Sequence, residues 1–81
     1  MTEDEAAGIA QKILAEHGLE LTGLVRQDIH RRDGLRLFIK GWHIGITDKH
    51  GRMRLYLGKA SDAESFERLM RNCIADIEAT S

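Results

Sequence analysis

Apolar positions in this chain of 81 residues recur in two periods, helical at both ends and alternating in the middle. Ala6, Ile9, Ala10, Ile13 and His17 recur at helical spacing with Leu14 beside them, which predicts a helix over residues 3–17. Thr2 and Glu5 have the spacing of a capping box, and Glu3, Asp4 and Glu5 suit the positive end of a helix dipole. Gly18 is placed to end this helix in the left-handed conformation, while Gly8 weakens its first turn. At the other end Phe66, Leu69, Met70, Cys73, Ile74 and Ile77 form a nearly uninterrupted apolar stripe. They predict a helix over 62–79, where Ser61 and Glu64 repeat the capping-box spacing.

Between the helices the pattern alternates, and glycine-bearing turns divide it into strands at 21–30, 35–47 and 52–58. Arg32-Asp33-Gly34 suits a three-residue hairpin loop with Gly34 left-handed. Asp48-Lys49-His50-Gly51 suits a four-residue loop around a type I turn. The predicted fold class is therefore α+β in the order α-β-β-β-α. Its simplest packing is a three-stranded antiparallel sheet with both helices on one face.

Loop geometry carries this reading to the level of register. Pairing Arg31 with Leu35 sets Ile29 against Leu37 and Gln27 against Ile39, with these odd positions facing the helices. Pairing Thr47 with Arg52 sets Ile46 against Met53, Ile44 against Leu55 and Trp42 against Leu57, with even positions of the second strand inward. The switch of parity between Ile39 and Trp42 calls for a β-bulge at Lys40-Gly41. The expected core is then Leu37, Ile39, Trp42, Ile44, Leu55, Leu57, Phe66, Leu69, Met70, Cys73 and Ile77, with Ile9 and Ile13 opposite.

The same register leaves an open sheet face carrying Arg26, Asp28, His30, Arg36, Phe38, His43, Gly45, Arg52, Arg54 and Tyr56. Cations interleaved with flat rings suit a nucleic-acid platform. They also suit a protein-binding or homodimer face, or a plain solvated one, since arginine stems cover apolar neighbours. Charge sharpens the picture. Residues 24–59 hold nine basic and three acidic side chains, a net +6, against −4 before them and −3 after. The total of −1 hides a basic middle between acidic ends.

Composition bounds the rest. With 42% hydrophobic and 31% charged residues the chain reads as one globular domain over 1–81. No apolar run approaches the roughly 18 residues of a membrane span. The acidic start lacks the pattern of a secretory signal, and one cysteine excludes an internal disulfide, so the expected location is cytoplasmic. No linker, repeat or low-complexity segment interrupts the chain.

Motifs that carry chemistry are absent by spacing. Gly41 and Gly45 sit inside a strand, with no Lys-Ser/Thr pair to complete a phosphate loop. His30, His43, His50 and Cys73 lack paired-ligand spacing, so no metal and no cofactor is expected. Cys73 falls on an apolar stripe and reads as a core thiol. His17, beside Gly18, reads as a cation-capable residue at a helix C-terminus. His30, next to Arg31, Arg32 and Asp33, has the neighbours a ribonuclease would use, but reads as a surface residue. Trp42 reads as a core anchor.

The element order resembles the double-stranded-RNA-binding domain across the whole chain. The motifs depart from it: Ser61-Asp62-Ala63-Glu64 is acidic where that family carries lysines, and His30-Arg31-Arg32-Asp33-Gly34 lacks its Gly-Pro-x-His loop. The resemblance implies a shared architecture, not membership, and no duplex-binding mode. The expected function is a non-enzymatic protein-interaction module, with a protein partner or second copy on the sheet face or edges. The alternative is binding of single-stranded nucleic acid or RNA through the same face.

Overall fold

The structure is a computed structural model; it describes residues 1–29 and 39–80, the side chains of 27–29 and 39–40 excepted. Along the chain run α1 (Glu3–Glu16), β1 (Glu20–Ile29), β2 (Ile39–Thr47), β3 (Met53–Lys59) and α2 (Ala63–Thr80). The strands form one antiparallel sheet in the order β1-β2-β3, and both helices pack on the same side of it. The fold is α+β, as the periodicity predicts. The Arg32-Asp33-Gly34 loop and the expected core residue Leu37 lie outside the described residues, and so does the side chain of Ile39.

Local chemistry sets the helix ends. The Thr2 hydroxyl accepts from the Glu5 N–H at 3.2 Å and caps α1. Gly18 adopts φ +69°, and the Leu19 N–H turns back to the Leu14 carbonyl at 2.9 Å, closing the last turn. The cap of α2 sits one residue later than its sequence spacing suggests. Asp62 Oδ1 accepts from the Ser65 N–H at 2.8 Å, and Ser65 Oγ accepts from the Asp62 N–H at 3.2 Å. The Ser65 N–H first, and then the Ser65 hydroxyl donating to the same oxygen, hold the Asp62 carboxyl below the ordinary carboxylate range.

The core lies between the helices and the inner face of the sheet. Ala6, Ala10, Ile13 and Leu14 of α1 meet Phe66, Met70, Cys73, Ile74 and Ile77 of α2 over Trp42, Ile44 and Ile46. Trp42 packs edge-on against Phe66, with ring centroids 5.2 Å apart, and its indole N–H donates to the Ala60 carbonyl at 3.0 Å. The bulky ring is thus buried without an unpaired donor. Ile9 and Leu69 are half-buried at the margin of the cluster.

Register departs from the sequence reading at three places. Gln27 pairs with Gly41 rather than Ile39, while Ile29 takes Ile39. The ladder runs without interruption from Ile39 to Thr47 on β2, so the bulge expected at Lys40-Gly41 is absent. The irregularity is on β1 instead. Leu21 pairs with Ile46 and Gly23 with Gly45, leaving Thr22 as the extra residue. Its physical reason is the spacing of two leucines. Leu21 and Leu24 are three positions apart, and one inserted residue lets both turn toward the core, where each is half-buried.

The third departure matters most for function. Thr47 pairs with Met53, not Arg52, and the shift of one residue continues through Ile46–Arg54, Ile44–Tyr56 and Trp42–Gly58. Its cause is the β2–β3 loop. The Asp48 N–H reaches the Arg52 carbonyl at 2.9 Å, and Gly51 takes φ +77° with its N–H on the Asp48 carbonyl at 3.1 Å. The loop is therefore Lys49-His50-Gly51, three residues closed by a left-handed glycine, in place of the expected four. Because side chains alternate, one residue of slip turns the whole of β3 over. Leu55 and Leu57, expected in the core, face solvent.

Candidate functional site

Inversion of β3 exchanges the chemistry of the two sheet faces. Arg54 and Tyr56 lie on the helix-bearing side, half-buried against the flank of α2. The Tyr56 hydroxyl donates to Asp76 Oδ2 at 2.7 Å, and Arg54 Nη1 donates to the Thr80 hydroxyl. Burial first, and then the Asp76 carboxylate, push the Tyr56 phenol above its ordinary value. Gly58 completes the inner row of β3. A methyl group there would come within 2.3 Å of a Leu69 side-chain carbon, so the bare glycine lets α2 settle onto the strand.

Asp48 organises the turn that sets this register. Its Oδ1 accepts from the N–H groups of His50 at 2.9 Å and Arg52 at 3.0 Å, while Oδ2 lies 3.4 Å from Arg54 Nε. The Arg52 N–H is the main influence holding the carboxyl below the usual carboxylate range. Burial opposes it, and the His50 N–H and the Arg54 guanidinium add to the lowering.

The open face is correspondingly apolar. Four large side chains on it are strongly exposed: Val25 at 55%, Met53 at 60%, Leu55 at 76% and Leu57 at 58%. Val25, His43 and Leu57 form one cross-strand row, and Gly23, Gly45 and Leu55 the next. Thr22 and Thr47 close one end through a hydroxyl–hydroxyl hydrogen bond, with Met53 beside Thr47. The two glycines leave a depression of about 210 Å³ between Val25, His43, Met53 and Leu55. Soluble proteins seldom leave a contiguous apolar patch of this kind to water without a use for it.

Three residues expected to line this face, Arg26, Arg54 and Tyr56, lie on the other side of the sheet, while Gly45 lies on it as expected. His43 is on it and exposed. Arg26 lies on the other side, opposite Trp42, with its guanidinium 6.0 Å from the centre of the indole. Its backbone N–H donates to Glu3 Oε1 at 3.3 Å, so α1 covers part of the β1 edge. Arg54 and Tyr56 bond to α2, and Arg52 follows the turn as an exposed side chain. His30, Arg36 and Phe38 lie outside the described residues, as does the side chain of Asp28. Val25, Met53, Leu55 and Leu57 were not anticipated on this face. The signal for three of them was Gly51, which closes a three-residue loop in the way read for Gly34.

A second concavity lies where the C-termini of both helices meet the β2–β3 turn, lined by His17, Leu19, Asp48, Lys49, His50, Ile77 and Glu78. His17 Nδ1 and a Glu78 carboxylate oxygen are 2.6 Å apart, tying the helix ends together. Its volume of about 180 Å³ falls short of the roughly 300–1,000 Å³ typical of small-molecule sites. Among the described residues no three His, Cys, Asp or Glu side chains gather as a metal-binding group. No described helix is long and apolar enough to cross a membrane. No protein-family model, curated protein or solved structure matches the chain.

Proposed function

We propose that this chain is a non-enzymatic protein-interaction module that docks through the open face of its sheet, using apolar contact where the sequence suggested basic and aromatic contact. The observation that carries the proposal is the exposure of Met53, Leu55 and Leu57 beside Val25. Burying such side chains is favourable by about 25 cal/mol per Å² of apolar surface, and the sheet already holds them in place, so little ordering cost opposes a partner. A cytoplasmic setting fits this reading, with Cys73 a buried free thiol.

Nucleic acid is the weaker reading. A phosphate backbone is held by lysines and arginines, and the cation that the register places on this face, among the described residues, is Lys59. Arg54 and Tyr56, a cation and a ring of that reading, are engaged with Thr80 and Asp76.

The test pairs two measurements on wild type and Leu55→Glu. Proteins captured from extract by the wild type should be lost with Leu55→Glu and retained with Arg52→Ala. Fluorescence anisotropy with a short labelled oligonucleotide should show no binding at about 50 or about 200 mM salt. Salt-dependent oligonucleotide binding that survives Leu55→Glu would overturn the protein reading in favour of nucleic acid.

A further inference from the structure

We infer that the partner for the open face is a second copy of this chain, packed sheet against sheet about a twofold axis. The inference rests on the docking reading above and adds the identity of the occupant.

Three features of the face are self-complementary. The first is shape. Leu55 is its most prominent side chain, and beside it Gly23 and Gly45 leave the depression of about 210 Å³. A twofold relation repeats both features. With the axis that the charges set, the Leu57 side chain of each copy lies over the hollow at Gly45 of the other, while the two Leu55 side chains meet near the axis. This is the isologous arrangement symmetric dimers use. The second is charge. Glu20 pairs opposite Thr47, and Lys59 opposite Gly41, which puts opposite charges at diagonally opposite corners of the outer face. A twofold axis in the plane of the interface, across that diagonal, brings Glu20 of each copy to Lys59 of the other. The strands of the two sheets then cross obliquely, as twisted sheets packed face to face do. Between those corners the described face has His43 as its titratable group, so apposition brings no carboxylates or ammonium groups together in the centre.

The third feature is area. Three strands about 4.8 Å apart and seven or more residues long cover about 15 Å by about 25 Å. With side-chain relief, two such faces bury on the order of 1,000 Å², the lower end for a specific interface. That predicts a reversible dimer, not an obligate one. Packing two sheets in this way would convert each one-sided sheet into a layer of a four-layer helix–sheet–sheet–helix assembly with a second apolar core.

Sedimentation equilibrium from about 1 μM to about 1 mM tests the inference on the full chain. The wild type should pass from monomer to dimer within that range. Leu55→Glu should weaken the dimer by about tenfold or more, because it buries a charge at the centre. Gly23→Val should also weaken it by filling the hollow. A Cβ added at Gly23 meets no atom within 4 Å in the monomer, and a β-branched residue suits a strand, so this variant is expected to keep its fold. Glu20→Lys and Lys59→Glu should each weaken association, and the double exchange should restore it. A wild type monomeric throughout overturns the inference. Dimers unchanged by Leu55→Glu and Gly23→Val overturn it too, since they would point to edge pairing. A monomeric wild type whose captured proteins are lost with Leu55→Glu would sink self-association and leave the docking reading standing. If capture is unaffected as well, both fall.

Discussion

Asp48 shows how one side chain can decide a surface. Its carboxylate takes two backbone N–H groups of the turn, and the Arg52 N–H in particular holds its pKa down. A carboxyl whose folded pKa is depressed adds stability above its unfolded pKa and loses it as pH falls through the folded value. Asp48→Asn should therefore lower the urea midpoint at pH 7, and the difference from wild type should shrink as pH drops below about 4. A gap equally wide at pH 3 and pH 7 would show that the charge is not what the turn uses. Cys73 is the opposite case. Burial first, and the charge of Asp76 second, push its thiol up to about 11. In the folded protein it should stay unreactive toward a thiol reagent at pH 8 and react at the ordinary rate in denaturant.

Among the elements, the β2–β3 hairpin has the largest consequence for the smallest cause. Gly51 at φ +77° closes the loop. A side chain in that conformation costs about 1–2 kcal/mol, so Gly51→Ala should lower stability by that amount, measured by chemical denaturation. Gly18→Ala, at φ +69° after α1, should behave alike. An unchanged midpoint for Gly51→Ala would mean the loop can close another way, and with it the register of β3 would come into question. The helices need no such arbitration. The α2 stripe from Phe66 to Ile77 buries as its spacing predicts, and the displacement of its cap from Ser61 to Asp62 leaves that face untouched.

At the scale of the whole molecule, the two sheet faces should respond differently to the same substitution. Phe66→Ala, in the core beneath Trp42, should cost about 3–5 kcal/mol. Leu55→Ala should change monomer stability by less than about 0.5 kcal/mol when measured at high dilution, because its side chain is 76% exposed. A large loss for Leu55→Ala in dilute monomer would place that residue in the core and reverse the face assignment. The molecule thus keeps one apolar layer between helices and sheet and displays a second, and the displayed one is what a partner would meet.

The order of elements, the helix limits to within a residue, the α1 cap and the inner face of β2 from Trp42 to Ile46 follow from the sequence alone, because each depends on neighbours within one turn or on a strict period. Trp42, Ile44 and Ile46 must share a face whichever strand they pair with, and their bulk makes that face the inner one. The faces of β3 are different. Met53, Leu55 and Leu57 alternate with Arg54, Tyr56 and Gly58, and the rule that apolar residues go inside chooses the wrong set. Which set turns inward depends on contacts far away in sequence: Tyr56 with Asp76, Arg54 with Thr80, and Gly58 beneath Leu69. None of these partners is visible from within the strand. A loop one residue shorter, together with a helix whose flank offers a carboxylate and a hydroxyl, makes the polar side of β3 the buried one and leaves its leucines facing out.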